Sequence, residues 1–322
     1  MSVWLNPKFR VCESLDDELN MLVIGGGGWI GLATLDMLHA LLGEQAFRRR
    51  VTVLGSSRRR LEVNPGLSVE CEALASFVPQ SAGPTLVFYY SFLTKDKVKA
   101  GSIDQFVAIN RSISDRVHDL VGAIRPRAVV LPSSGAVYAA GRRLETDLER
   151  NPYGALKVVD ESRFQELMAR LGGQLVVPRI FGLSGEYINK HDAYALAGFI
   201  KSVQSGSGIE IRARHDVFRS YMYIGDLVGL TLQLALAAKR GSVVFDTAGD
   251  EVVEIEELAQ RVAQVLGHPS LAIRRTREPS LPADRYVGDP VHVRRLMAAA
   301  DAEQMPLDTQ ILRTASHLGS ES

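Results

Sequence analysis

Apolar residues along this chain fall into two recurring patterns. Short continuous runs read as strands buried on both faces: Met21 to Ile24, Val51 to Leu54, Leu67 to Val69, Thr85 to Tyr90, Ala128 to Leu131, Gln174 to Val177 and Val243 to Thr247. Between them apolar side chains recur at helical spacing. Ile30, Leu32, Leu35, Leu38 and Leu42 form one such face, and Gln105 to Ile124, Leu156 to Leu171 and Leu227 to Ala238 carry others. Strands alternating with helices predict an α/β fold with a doubly wound parallel sheet, whose ligands lie beyond the carboxyl ends of the strands.

The junction of the first strand and first helix holds four consecutive glycines, in "VIGGGGWIG". A glycine inside a structured element costs roughly 0.5–1 kcal/mol against alanine, so the run calls for a steric reason. Gly25, Gly28 and Gly31 are spaced as a variant of the dinucleotide fingerprint, one residue longer in its first interval. Gly25 permits the turn, Gly28 lets a diphosphate approach the main chain, and Gly31 lets the helix sit close to the strand. The helix N-terminus, with Trp29 and Ile30 in its first turn, offers unpaired N–H groups to the phosphates. The fold class thereby narrows to a Rossmann-type dinucleotide-binding domain over 21–180 plus 219–249. An N-terminal extension over 1–20 precedes it, and a smaller C-terminal substrate-binding domain takes 181–218 plus 250–322.

Composition removes some classes of function. With 37 basic and 37 acidic residues the net charge is zero, so nothing in the total points to nucleic acid or an anionic membrane. Cys12 and Cys71, far apart, make neither a disulfide scaffold nor a metal knuckle, and no metal site is expected. No run of roughly 18 uncharged apolar residues and no N-terminal apolar core is present, so a soluble, cytoplasmic protein is expected.

The residues that follow the strands are informative. After Val51 to Leu54 come Gly55, Ser56, Ser57 and Arg58 to Arg60, where an NAD site usually holds an acidic residue against the ribose 2′-hydroxyl. Hydroxyls and guanidiniums suit a 2′-phosphate better, which favours NADP over NAD. After Ala128 to Leu131 comes "PSSGAVY", with Ser134, and further on "NPYGALK". There Asn151 caps a helix, Pro152 starts it, and Tyr153 and Lys157 stand four apart on one face. An ammonium beside a phenol favours the phenolate, which makes a proton donor and acceptor suited to work beside a hydride carrier.

With fingerprint, serine turn and Tyr-xxx-Lys in this order, the chain resembles the extended short-chain dehydrogenases/reductases of the NAD-dependent epimerase/dehydratase type, which act on nucleotide-activated sugars. Asn110 in "FVAINRSIS", "VPRIFGLSG", "RSYMYIGDL", "FDTAGDEVVEIEELA" and "REPSLPADRYVGD" continue the likeness to about Leu318. The resemblance implies Tyr153 as general acid/base, Lys157 as the residue that orients the nicotinamide ribose and tunes Tyr153, and Ser134 as a hydrogen bond to the reacting sugar oxygen. It implies Arg219 and Arg277 as clamps on the substrate diphosphate, Asn189 and Lys190 in a substrate-facing insertion, and a homodimer formed through a helix pair. Gly135 and Ala136 stand where the family's dehydratases usually place an Asp-Glu pair, which ranks a 4,6-dehydratase low. "VFYYSFLT" is bulkier than usual beside the cofactor, and Gly182 replaces an asparagine that often touches substrate. The expected activity is that of a 4-keto-sugar nucleotide reductase using NADP. A nucleotide-sugar 4-epimerase with tightly held NAD is the alternative, and a catalytically silent NADP-sensing protein is a reading from another class.

Overall fold

The computed structural model describes residues 2–9, 11, 15–79, 83–94, 103–191 and 193–320. In chain order its elements begin β1 (Asn20–Ile24), α1 (Trp29–Arg50), β2 (Val51–Gly55), β3 (Arg59–Asn64), β4 (Leu67–Ala73), β5 (Thr85–Tyr89) and α2 (Ile103–Ile124). β6 (Ala128–Val130), β7 (Ser133–Ser134), α3 (Pro152–Leu171), β8 (Gln174–Ile180), β9 (Gly182–Ser184), α4 (Ala195–Ser205), β10 (Ile209–Ile211), β11 (Val217–Arg219) and β12 (Tyr221–Tyr223) follow. The chain continues through α5 (Ile224–Ala237), β13 (Gly241–Asp246), β14 (Val253–Glu254), α6 (Ile255–Val265), β15 (Ile273–Arg275), β16 (Asp284–Tyr286), α7 (Pro290–Ala299) and α8 (Leu307–Ser320). These elements form two compact units.

The larger unit, Phe9–Ile180 with Val228–Phe245, carries a nine-stranded sheet in the order β13-β8-β6-β5-β1-β2-β4-β3, with β7 beside β8. β1 pairs in parallel with both β2 and β5, Ile24 lying opposite Leu54 on one side and Tyr89 on the other. The chain builds outward from β1 in one direction and then returns to build in the other. The carboxyl ends of β1 and β5 thus meet at the switch point where such sheets bind ligands.

β1 is apolar from Met21 to Ile24 because both of its faces are covered there. Leu22 and Ile24, with Val87, Tyr89, Val129, Leu131, Leu175 and Val177, pack on Val117, Leu120 and Val121 of α2 and Phe164, Leu167 and Met168 of α3. α1 packs against β1, β2 and β3, with Leu35 close to Val53, whose side chain points opposite to that of Leu54. α1 runs beyond the apolar face that ends with Leu42, to Arg50, breaking at Gly43 (φ 71°). Arg50 is buried and donates to the Leu19 and Asp16 carbonyls. The basic run Arg58 to Arg60, expected in a loop, enters a strand instead. β3 pairs antiparallel with β4 through the turn at Pro65–Gly66, burying Val63 while Arg60 and Glu62 face solvent. Cys71 is a buried free thiol; Cys12 lies outside the described residues.

The smaller unit comprises Met1–Lys8, Phe181–Leu227 and Asp246–Ser322. Its boundaries differ from the expected 219 and 249. β11 pairs with β14 and β16 and β12 with β9, so 217–223 is held by strands of this unit. The start of the expected extension also belongs here: Trp4 N donates to Tyr223 Oη (3.0 Å), Asn6 to the Glu303 carbonyl (2.9 Å), and Lys8 pairs with Asp301 (2.7 Å). Among the described residues no helix is long and apolar enough to cross a membrane.

One buried carboxyl of this unit makes its stability depend on pH. Asp226 accepts from Met305 N (2.7 Å) and is fully enclosed, and burial pushes its pKa up from the usual carboxylate range to about 7. Between the unfolded value near 4 and about 7 the folded chain holds a proton that the unfolded chain has lost. Stability therefore falls as pH rises through this window, by up to about 1.4 kcal/mol per pH unit, and levels off above it. Asp226→Asn is expected to flatten this slope, so its stability relative to wild type should climb from pH ~5 to pH ~7 in denaturant titrations. A constant difference across those pH values would show that the carboxyl ionises normally.

Candidate active site

At the end of β1 the glycine turn is shaped by two kinds of neighbour. Gly25 has φ +92°, and a Cβ there would stand 2.6 Å from Ser91 N. A Cβ on Gly31 would stand 2.5 Å from the Gly25 carbonyl oxygen, so this glycine lets α1 close on the strand. Gly28 is different: it is exposed, and the sole neighbour of a Cβ there would be the Gly25 oxygen at an ordinary 3.7 Å. The protein itself does not require a bare backbone at that point. α1 begins at Trp29, which is buried, and Ile30, which is partly so; Gly28 supplies no side-chain cap and the first turn has no acidic residue. Exposed main chain at an uncapped, positive helix end fits a dinucleotide's diphosphate. The Ser56, Ser57 and Arg58 side chains are exposed between β2 and β3. The guanidinium found against the turn is that of Arg59, whose Nη2 lies 2.9 Å from the Cβ position of Gly27.

α3 carries Tyr153 and Lys157, and its start is tied to the serine turn. Asn151 Oδ1 accepts from Gly154 N (3.0 Å) as the helix cap, while its Nδ2 donates to the Ala136 carbonyl (2.9 Å). A Cβ on Gly154 would sit 2.0 Å from that same oxygen, so no other residue fits between helix and turn. Ser134 Oγ accepts from Ala136 N (3.1 Å), and a hydroxyl that accepts can also donate. Lys157 Nζ donates to the Pro132 carbonyl (3.0 Å) and lies 4.1 Å above the Phe92 ring, which meets the Tyr153 ring edge-on at 5.3 Å. Burial pulls the Lys157 pKa down to about 8, against the attraction of Asp160 and Glu161.

The loop after β5 joins these groups to the glycine turn. Ser91 abuts Gly25, and Phe92 touches both Tyr153 and Lys157. Asn110 on α2 fixes this loop, accepting from Leu93 N (2.8 Å) and donating to the Leu93 carbonyl (3.2 Å). Behind α3, Glu161 takes the two-pronged fork of Arg179 from β8 at 3.0 and 2.6 Å. The bulk of Phe92 is legible in "VFYYSFLT", but its two partners are not. Arg59 is disguised among three successive arginines.

In the smaller unit the expected substrate residues are found in carboxylate networks. Arg219 pairs with Asp284 (2.7 Å). Arg277 donates from Nε to Glu256 (3.0 Å) and reaches Asp216 and Glu254 at 3.3 Å. Arg275, buried, is committed to Glu254 and the carbonyls of Ala213 and His215. Asn189 is exposed, and the Lys190 carbonyl accepts from Ala193 N and Tyr194 N. Gly182 has no room for a side chain, since a Cβ would lie 2.2 Å from the Ser220 oxygen. Among the described residues no group of three or more His, Cys, Asp or Glu side chains could hold a metal ion.

No curated protein matches the sequence. Among solved structures, a UDP-N-acetylglucosamine 4-epimerase from Methanobrevibacter ruminantium, in complex with UDP-N-acetylmuramic acid, is 18% identical over 96% of this chain and 100% of that chain, with a TM-score of 0.73. UDP-glucose 4-epimerases in complex with NAD are similar too. That of Thermus thermophilus is 20% identical, covering 94% of this chain and 100% of its own, with a TM-score of 0.69. That of Brucella ovis is 20% identical, covering 93% and 98%, with a TM-score of 0.66. These likenesses establish the Rossmann-type α/β fold. The model of the NAD dependent epimerase/dehydratase family matches residues 21–245, and with more than two thirds of the chain inside that match, the protein belongs to this family.

Proposed function

We propose that the chain moves a hydride between a nicotinamide dinucleotide and a sugar carbon of a nucleotide-activated sugar, as a 4-keto-sugar reductase that prefers NADP(H). The loop after β5 carries this reading, because it brings the Tyr153–Lys157 pair and the glycine turn to neighbouring strand ends. When bound, the reduced nicotinamide supplies the hydride. Tyr153 gives its proton to the carbonyl oxygen as the alcohol forms, and the Lys157 ammonium favours the phenolate left behind. Ser134 donates a hydrogen bond to the same oxygen as charge develops. Arg219 and Arg277 would exchange a carboxylate partner for the substrate diphosphate, with Asn189 among the substrate contacts. Apolar Ile103 and Ile109 on α2 and Val159 on α3, all exposed, support a homodimer.

Arg59 supports NADP, since a guanidinium beside the glycine turn suits an additional phosphate. Arg59→Ala is expected to reduce the preference for NADPH over NADH by about tenfold in calorimetric titrations, the worth of one charge-assisted hydrogen bond. Equal wild-type affinities for the two cofactors would remove the NADP reading. The similar 4-epimerase structures favour a second reading, a 4-epimerase that retains NAD. Incubation with reduced cofactor and 4-keto nucleotide sugars, and separately with 4-hydroxy nucleotide sugars and no added cofactor, separates the two. A reductase consumes one reduced cofactor per sugar. An epimerase interconverts sugars without net consumption and is purified with its cofactor in place. Neither outcome with any nucleotide sugar would reject both.

A further inference from the structure

Phe92 occupies ground that a dinucleotide would contest. Its neighbour Leu93 is held at both N and O by Asn110, so the backbone is fixed and the freedom that remains is rotation of the side chain. Its ring has Lys157 Nζ over one face at 4.1 Å, the Tyr153 ring edge-on at 5.3 Å, and the Phe106 ring at 6.2 Å. These are the separations of a cation–π pair and of T-shaped aromatic pairs, so the position is a favoured one. One Lys157 N–H is already given to the Pro132 carbonyl. At the glycine turn the Arg59 guanidinium lies against Gly27, but Gly28 is exposed, and among the described residues a Cβ there would meet no protein atom closer than 3.7 Å.

We infer that Phe92 is a selectivity residue, and that by standing on Lys157 and Tyr153 it opposes the nicotinamide-ribose half of a dinucleotide while leaving the adenosine-diphosphate half unopposed. The inference rests on the dinucleotide reading above. A nicotinamide riboside that is to reach Lys157 and Tyr153 has to turn the ring aside; an ADP-ribose fragment at the glycine turn does not. The apparent affinity for the whole ligand is then the intrinsic affinity multiplied by the fraction of molecules whose ring is already turned. A ring turned in about one molecule in ten weakens binding about tenfold.

The test compares NADP+ with 2′-phospho-ADP-ribose by calorimetry, on wild type, Phe92→Ala and Phe92→Leu. Wild type is expected to bind the two ligands within about threefold of each other. Phe92→Ala should bind NADP+ about tenfold more tightly and the fragment unchanged, with Phe92→Leu between. Unchanged fragment affinity also shows that the variants keep a folded glycine turn. A wild type that prefers NADP+ over the fragment tenfold or more overturns the inference without any variant. So does a Phe92→Ala protein that binds the fragment normally but NADP+ no better. In both cases the dinucleotide reading survives, whereas failure of both ligands, and of NAD+ and ADP-ribose in the same comparison, to bind any of the proteins removes that reading and the inference together.

Discussion

Tyr153→Phe is expected to lower turnover by at least about 100-fold while leaving dinucleotide affinity within about twofold. The change removes one oxygen and with it the proton that the alcohol product needs, and general acid catalysis is worth about 10²–10⁴-fold. The ring itself remains, so its edge-on packing with Phe92 and the cap at Asn151 are preserved. The loss should therefore lie in kcat, because the oxygen acts as the carbonyl becomes an alkoxide and not before. Steady-state rates with saturating cofactor measure it. A variant with near-normal kcat would show that the proton comes from elsewhere, and a variant with lost affinity would make Tyr153 a binding residue.

Much of this site is legible in a single chain because its chemistry sits in short, local patterns. The glycine turn is written in "VIGGGGWIG", and the helix start in "NPYGALK" carries its own cap and proline. What is lost is pairing between distant segments. Nothing in the sequence joins Asn151 to Ala136, or explains why the residue after Tyr153 has to be glycine; both follow from a backbone approach visible in three dimensions. β3 was hidden because three arginines read as a solvated loop, although Leu61 and Val63 alternate with Arg60 and Glu62 ahead of a Pro-Gly turn. The boundaries of the smaller unit escaped for the same reason, since β11, β12 and β14 are each three residues or fewer, too short for periodicity to register. Arginine is the hardest residue to assign, because a fork that fits a diphosphate fits a carboxylate equally well. Arg219 and Arg277 each hold carboxylates.

Arg179 shows what such a pair does for the fold, and its removal should have the largest effect on stability. It lies on β8, and Glu161 lies one turn beyond Lys157 on α3, so their bidentate contact fixes the helix that carries Tyr153. Both side chains are largely buried, at 14% and 10% exposure, and Arg179 Nη1 also donates to Tyr138 Oη (2.7 Å). Burial works against the guanidinium's charge, yet the hydrogen bonds it donates to Glu161 more than offset that and hold its pKa above the ordinary value. Arg179→Met leaves the Glu161 carboxylate enclosed without its cation, a defect that costs about 3–5 kcal/mol in buried pairs. Arg179→Lys keeps the charge but has no fork to span both oxygens, so it should recover only part of the loss. Replacing both partners, Arg179→Met with Glu161→Met, removes the stranded charge and should restore most of it. Denaturant titration of wild type, Arg179→Met, Glu161→Met and the double variant measures the cycle, with Arg179→Lys alongside. If the double variant were as unstable as Arg179→Met, the pair would be contributing through packing against Tyr138 and not through charge.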